Sequence, residues 1–320
     1  MTNSYLPEGS LFGTRENREY ISSRSGLLRA MNEGKIIEAT VLLCDSYMRL
    51  HVDLYGMTGI IEKGEAIYNP DGKDIKDIAV ITRVGKPVCF KVMGFSHENG
   101  KEIAILSRRE AQKECLSAYL CDMIPGDIVE AKVTHLDSFG AFVDIGCGII
   151  SLLSIDCISV SRISHPSDRL SVGDRIYTVI KSIDRDSGRI FVSMRELLGT
   201  WEENAAEFEV GQTVAGIVRS IESYGVFIEL APNLAGLAEI RDDTSDKDIA
   251  RVGERAAVYI KSILADRMKI KLVLIDSYRG NAPVPKIKYF IDCGATKHIN
   301  YWRYSPPLAS KVIESVFEEY

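Results

Sequence analysis

Two pairs of aromatic residues in this sequence share one spacing and the same kind of small neighbours. Phe139 and Phe142 flank a Gly-Ala pair, and Tyr224 and Phe227 flank a Gly-Val pair. Aromatic rings held at a protein surface bind other flat rings by stacking, and nucleic-acid bases are ligands of this kind. The chemistry that these four residues suggest is therefore stacking on bases rather than bond making.

The aromatic pairs belong to a twenty-residue module that occurs twice. Residues 126–145 read GDIVEAKVTHLDSFGAFVDI, and residues 211–230 read GQTVAGIVRSIESYGVFIEL, at an offset of 85 residues. Further along, residues 180–183 and 260–263 both read IKSI. An internal repeat of this length indicates tandem structural units, and it has to be recognised before any other fold prediction.

Each copy of the module predicts β-strands, because apolar residues recur at every second position. The alternation in the first copy leaves Phe142 and Asp144 on the solvent side, and the second copy leaves Phe227 and Glu229 there. The inward positions are Ala141, Val143 and Ile145 in one copy and Val226, Ile228 and Leu230 in the other. Strict alternation would place Phe139 inside, so we predict a bulge or bend at Gly140 that turns its ring outward.

These motifs resemble the S1 domain, a five-stranded OB-type barrel named after an RNA-binding protein of the bacterial small ribosomal subunit. The resemblance is carried by FGAFV at 139–143, RISHP at 162–166, LSVGD at 170–174 and the segment 184–193. It implies a mainly β fold class: three tandem OB-type, S1-like, five-stranded barrels with short connecting helices and a C-terminal helical tail.

The resemblance also implies which residues contact RNA. Matched by motif, these are Phe139, Phe142, Asp184 and Arg189. The other candidates for RNA contact are Lys132, Ser154, Arg162, His165, Tyr224, Phe227, Lys261 and Lys269. The family has a histidine where Ser154 stands, and the last copy has Glu239 at that place. In the last copy Lys269 also takes the place of Arg189, and the hairpin is spaced differently around Asp266. These departures favour the middle copy over the last as the main RNA site.

The domain prediction has five parts. An N-terminal helix occupies 1–32, a degenerate S1-like barrel 33–112, S1 domains 125–197 and 209–276, and an aromatic-rich tail with a terminal helix 277–320. The first barrel rests on weaker matches, such as EATV at 38–41 against EAKV at 130–133, and its second strand has no aromatic pair. We interpret it as a barrel that has lost the usual binding face.

Helical spacing predicts the segments outside the barrels. We expect helices over 16–31, ended by Gly34, over 109–122, and over 196–208, where Trp201 packs between domains. A last helix is expected over 308–317. The tail aromatics are Tyr289, Phe290, Tyr301, Trp302 and Tyr304. They form either a second RNA platform or an apolar plug across the third barrel, and the plug is favoured because few cations accompany them.

Composition limits how RNA would be held. The chain has 320 residues, 46% of them hydrophobic, which suits a globular protein with two or three cores. Its net charge of −6 counts against binding by bulk electrostatics, although base stacking needs no net charge. A basic rim of Lys132, Arg162, Arg185 and Arg189 would neutralise a few phosphates.

Location and cofactor predictions follow from what the sequence lacks. No apolar run approaches the roughly 20 residues that cross a bilayer, and the segment MTNSYLPEGSLFG has no basic region followed by an apolar core. The seven cysteines form no C-x-x-C pair, and Cys293 with His298 is too small a set for a metal. We expect reduced thiols, a cytoplasmic location, no membrane partner and no cofactor or metal.

Two function classes are consistent with these patterns. The first is a non-catalytic protein of translation or RNA metabolism that binds single-stranded RNA, either mRNA or rRNA, with the ribosome as a further partner. The second is a protein-interaction scaffold that docks on the ribosome or RNA machinery with little RNA contact. An enzyme is not expected, since the sequence has no phosphate-binding loop, nucleophile elbow or zinc-protease motif.

Overall fold

The computed structural model describes residues 5–69, 74–184, 188–239, 250–281, 284 and 286–317. The chain forms two compact units. The first runs to Met123 and includes Glu130–Lys132 and Asp144–Ile150; the second comprises Ile124–Val129, Val133–Val143 and the chain from Ser151 onward. Arg185 of the predicted basic rim lies outside the described residues.

Two helices, α1 (Arg15–Ile21) and α2 (Arg24–Glu33), stand where the spacing predicts one. The single-helix prediction is wrong because the side chain of Ser23 accepts a hydrogen bond from the Gly26 N–H and begins a new helix. A Cβ on Gly26 would lie 2.5 Å from the Tyr20 carbonyl oxygen, so the two helices meet at this glycine. Gly34 ends α2 at φ 64°, as predicted.

The first unit is built around a closed five-stranded barrel. Its strands are β1 (Ile37–Cys44), β2 (Leu50–Asp53), β3 (Thr58–Ile61), β4 (Pro87–Glu98) and β5 (Lys101–Ser107), hydrogen-bonded in the order β1-β2-β3-β5-β4. Helix α3 (Asp77–Ile81) precedes β4, and α4 (Arg108–Ala118) follows β5. Leu50, Val52 and Leu54, which alternate with polar residues along the sequence, are buried in the barrel core.

A second closed barrel contains the first copy of the repeated module. Its strands are β6 (Ile128–Asp137), β7 (Gly140–Asp144), β8 (Ile150–Ser154), β9 (Arg175–Asp184) and β10 (Arg189–Ser193), in the order β10-β8-β7-β6-β9, with α5 (Ile155–Ile158) after β8. The inward positions Ala141, Val143 and Ile145 are buried. The predicted closing hairpin is present, with Asp184 paired to Arg189.

The second copy lies in a further closed barrel of the second unit. Its strands are β11 (Thr213–Glu222), β12 (Gly225–Ala231), β13 (Leu234–Glu239), β14 (Glu254–Leu264) and β15 (Lys269–Asn281), in the order β11-β12-β13-β15-β14. The connector before it is not one helix: Gly199, at φ 81°, separates a 3-10 turn (Arg195–Leu198) from α6 (Trp201–Ala205). Trp201 is buried in the core of this barrel.

The tail packs as an apolar cover, but it is not helical. Residues Tyr301–Arg303 (β16) and Glu314–Val316 (β17) form a two-stranded sheet. The predicted terminal helix over 308–317 is wrong because Trp302 and Tyr304 join the core of the third barrel, and β17 pairs with the strand that carries Trp302. Phe317 packs with Ile128 of the middle barrel, so the tail covers both barrels.

None of the helices in the described ranges is both long enough and apolar enough to cross a membrane.

Candidate nucleic-acid interface

The middle barrel presents three aromatic rings on one side. Phe139 is half exposed and meets Phe142 edge to face, with ring centroids 5.8 Å apart. The ring of His135 stacks on Phe142 at 6.1 Å and an interplanar angle of 26°. His135 is not among the predicted site residues. The repeat gives no signal for it, because Ser220 stands at the corresponding position of the second copy.

The third barrel repeats the pair with the same geometry. Tyr224 and Phe227 meet edge to face at 6.1 Å and 89°, and Tyr224 is 60% exposed. Edge-to-face packing is a favoured arrangement of two rings, and it leaves a ring face open to a ligand. Both copies of the module therefore hold an aromatic pair in the same way.

A two-residue turn places the first ring of each pair outside. Glu222 pairs with Gly225, so Ser223 and Tyr224 form the turn, and Phe139 holds the corresponding position between β6 and β7. In the second copy the strand irregularity lies between Val218 and Ser220, so a tight turn next to Gly225, and not a bulge at that glycine, turns the Tyr224 ring outward.

The glycine of each pair is required for a different reason, namely close approach of a neighbouring strand. A Cβ on Gly140 would lie 2.5 Å from the carbonyl oxygen of Leu153, and one on Gly225 would lie 2.7 Å from that of Ala238. Real Cβ atoms do not come this close to backbone oxygens. Gly140 therefore allows β7 to pack closely against β8, and Gly225 allows β12 to pack closely against β13.

A cleft of about 640 Å³ lies beside the aromatic pair of the third barrel. Four parts of the second unit line it: the barrel itself, the segment 160–162, α6 and the tail. The lining residues are Val160, Ser161, Arg162, Trp201, Arg219, Ser220, Glu222, Tyr224, Phe227, Ala235, Arg267, Met268, Lys269, Tyr304, Ser310, Lys311 and Ile313. Four predicted site residues, Arg162, Tyr224, Phe227 and Lys269, thus come together in one cleft.

The middle barrel corresponds to a known family model. Residues 122–195 match the S1 RNA binding domain. The predicted resemblance is confirmed for this segment, which we call the S1 segment. The chain is also 34% identical over 185 residues to the small ribosomal subunit protein bS1 of Staphylococcus aureus, covering 56% of this chain and 46% of that protein.

Two further similarities were found. The bS1 protein of Staphylococcus epidermidis is 30% identical over 208 residues, covering 62% of this chain and 52% of that protein. Among solved structures, GSP13 from Bacillus subtilis is 28% identical, with a TM-score of 0.22, and covers 23% of this chain and 57% of that chain. The chain spans about half the length of the curated relatives it matches.

The basic candidates of the S1 segment differ in how far they are free to bind a ligand. The ammonium of Lys132 donates a hydrogen bond of 2.8 Å to the carbonyl oxygen of Glu8. Arg162 and Arg189 are exposed. Arg189 begins β10 opposite Asp184, and neither residue lines the cleft of the third barrel.

Three other candidates have different positions. His165 begins the 3-10 turn Pro166–Asp168: its ring accepts the Ser167 N–H, and the Asp168 carboxylate accepts the His165 N–H. Ser154 ends β8, directly before α5, and is half-buried. Lys261 is exposed on β14 and does not line the cleft.

The two acidic residues predicted to face solvent are buried instead. In the first unit the Asp144 carboxylate accepts the N–H groups of Glu8, Gly146 and Gly148, and burial raises the pKa of Asp144 to about 7. Burial also acts to raise the pKa of Glu8, but the charge and hydrogen bonds of Arg108, together with the charge of Arg83 and the N–H of Cys89, lower that pKa. In the second unit Glu229 accepts hydrogen bonds from two arginines. Both carboxylates point away from the interior of their barrels, but other segments of the chain cover them.

Proposed function

We propose that this protein binds single-stranded RNA without catalysing a reaction, and that the aromatic face of the S1 segment is its main binding surface. The observation that carries the proposal is the cluster of His135, Phe139 and Phe142. Splayed bases of a single strand can stack on such rings, whereas the bases of a duplex cannot. The similarity to small ribosomal subunit proteins supports a role in translation, with mRNA or rRNA as ligand and the ribosome as partner.

The test is a titration of the intact protein with a labelled single-stranded RNA. Phe142→Ala should weaken binding by roughly 1–3 kcal/mol, the contribution of one stacked base. Phe12→Ala is the control, because it also removes an accessible phenyl ring, but Phe12 lies in the first unit, outside the ring cluster. Equal affinities for Phe142→Ala and Phe12→Ala, with unchanged circular dichroism, would refute this surface as the site.

A docking scaffold is the second candidate, and one observation favours it. Leu42, Leu43 and Met93 of the first barrel are each about half exposed. Apolar side chains in this position suit a protein partner better than RNA. If the intact protein binds the ribosome but not free RNA, the scaffold explanation holds.

A further inference from the structure

The cleft of the third barrel differs from the ring cluster of the S1 segment because the C-terminal tail forms one of its walls. We propose that this tail-walled cleft is a second RNA-binding site, in which a base stacks on Tyr224 while Lys269, Lys311 and Arg162 bind phosphates. The inference rests on the proposed function for its class of ligand. It assigns the tail a direct part in binding as well as its part in packing.

The charge of the cleft suits a phosphate-bearing ligand. Five cationic residues line it against one carboxylate, Glu222. Arg219 is engaged with Glu229 at 2.7 Å, and Arg267 lies 3.5 Å from Asp266. The other three cations are exposed, and no ion pair involves them within the part of the chain that the structure describes. Against the single carboxylate of Glu222, these three cations leave the cleft with an excess of positive charge, which forms a local basic site on a chain whose net charge is −6.

The shape of the cleft suits one or a few nucleotides. A volume of about 640 Å³ is within the range of roughly 300–1,000 Å³ that is typical of pockets for small ligands. The residues that line it include Trp201 and Tyr304, which are both buried. The Tyr304 hydroxyl donates to the carbonyl oxygen of Asn233 at 2.5 Å, which fixes that ring in place. Tyr224 also lines the cleft and is largely exposed, so its ring is accessible to a ligand.

The tail wall is anchored on both sides of Lys311. The Tyr304 N–H donates to the Ile313 carbonyl oxygen at 2.9 Å, and the Ile313 N–H donates to the Ser305 hydroxyl at 2.8 Å. Pairing of β16 with β17 continues this closure. Lys311 is thus presented by a short closed loop, and the chain need not order a free tail when it binds a ligand.

The experiment uses the intact protein and a labelled single-stranded RNA over a series of salt concentrations. Lys269→Ala and Lys311→Ala should each make the slope of log affinity against log salt less steep by about 0.7, the value for one phosphate contact on a single strand. Tyr224→Ala should weaken binding at least about fivefold. Lys297→Ala is the matched control: Lys297 is an exposed lysine of the same tail that does not line the cleft, and its removal should change neither quantity.

Each variant is measured alone and together with Phe142→Ala, so that the two sites are separated. If Lys269→Ala, Lys311→Ala and Tyr224→Ala all behave like Lys297→Ala, the cleft is not an RNA site, whatever Phe142→Ala does. If Lys269→Ala and Tyr224→Ala weaken binding while Lys311→Ala does not, the tail wall has no part in it and the inference fails. Loss on Phe142→Ala alone would support the proposed function and reject the cleft.

Discussion

The guanidinium of Arg169, in the connecting segment of the middle barrel, donates to the carboxylate of Glu229 on β12 of the third barrel. Both side chains are almost completely buried. Arg219 donates to the same carboxylate at 2.7 Å and lies 3.4 Å from Asp168. One acid therefore neutralises two arginines in the interior of the second unit. A buried charge left without a partner destabilises the folded state strongly.

We predict that Glu229→Gln lowers the free energy of unfolding by about 3–5 kcal/mol, since it removes the carboxylate that pairs with the buried Arg169 and leaves Arg219 with Asp168 alone. Arg169→Met should lower the free energy of unfolding by less, because Arg219 still neutralises Glu229. Urea denaturation of the purified variants measures both. Glu239→Gln is the control: its carboxylate is exposed and lies 3.6 Å from Lys271, so it should cost less than about 1 kcal/mol. A loss at Glu229 no larger than at Glu239 would contradict this account.

Gly140→Ala should destabilise the protein by about 1–3 kcal/mol, because the new Cβ must displace the backbone of β8. Gly94→Ala is the matched control. Gly94 is also in a strand, β4, but a Cβ there meets nothing within 4 Å. In thermal unfolding, Gly140→Ala should have a clearly lower melting temperature than Gly94→Ala, which should melt close to the parent protein. Equal melting temperatures would mean that β7 and β8 are less closely packed than described.

Glu38 should make stability depend on pH. One of its oxygens accepts the N–H groups of Gly9, Leu11 and Phe12, while burial raises its pKa from 4.5 to about 7. A carboxyl group with a raised pKa holds its proton more tightly when folded, so stability should fall as pH rises from about 4.5 to about 7 and be regained as pH falls. The change attributable to Glu38 is at most about 3 kcal/mol.

Glu38→Gln should flatten this part of the stability curve, since an amide oxygen can still accept the three N–H groups but does not ionise. Denaturant titrations at pH 5, 6 and 7 give the comparison. Glu130→Gln, at an exposed position of β6, is the control and should keep the slope of the parent protein. The role of Glu38 would be disproved by a Gln variant whose slope matches the parent.

Arg49→Ala should leave RNA affinity unchanged, because the Arg49 guanidinium already binds Asp45 at 2.8 Å and Glu98 at 3.2 Å. Arg162→Ala, measured in the same titration, should weaken binding and lessen the salt dependence. Single substitutions test the first barrel better than a deletion of residues 1–112. The deletion would remove Glu8 and Arg108, which cover the buried Asp144. A clear loss of affinity in Arg49→Ala would show that the first barrel contacts RNA.

Interactions between residues close together in the sequence determined several features of this protein. Alternation along single strands identified the inward faces of β2, β7 and β12, and the repeat identified both aromatic pairs. Gly34 ended its helix as expected because a left-handed C-cap is a local requirement. The family resemblance added the closing hairpin at Asp184 and Arg189. These features need no knowledge of distant segments.

The tertiary structure alone decided what covers the outer faces of the barrels. Asp144 and Glu229 follow the strand alternation and point away from their barrels, yet both are buried, because segments far away in sequence pack there. The terminal segment became a strand since β16 supplied a hydrogen-bonding partner that no local pattern reveals. The same long-range packing brought Arg162, Lys269 and Lys311 to one cleft, from positions up to 149 residues apart. Strand periodicity determines which way a side chain points, but only the packed chain determines what it meets.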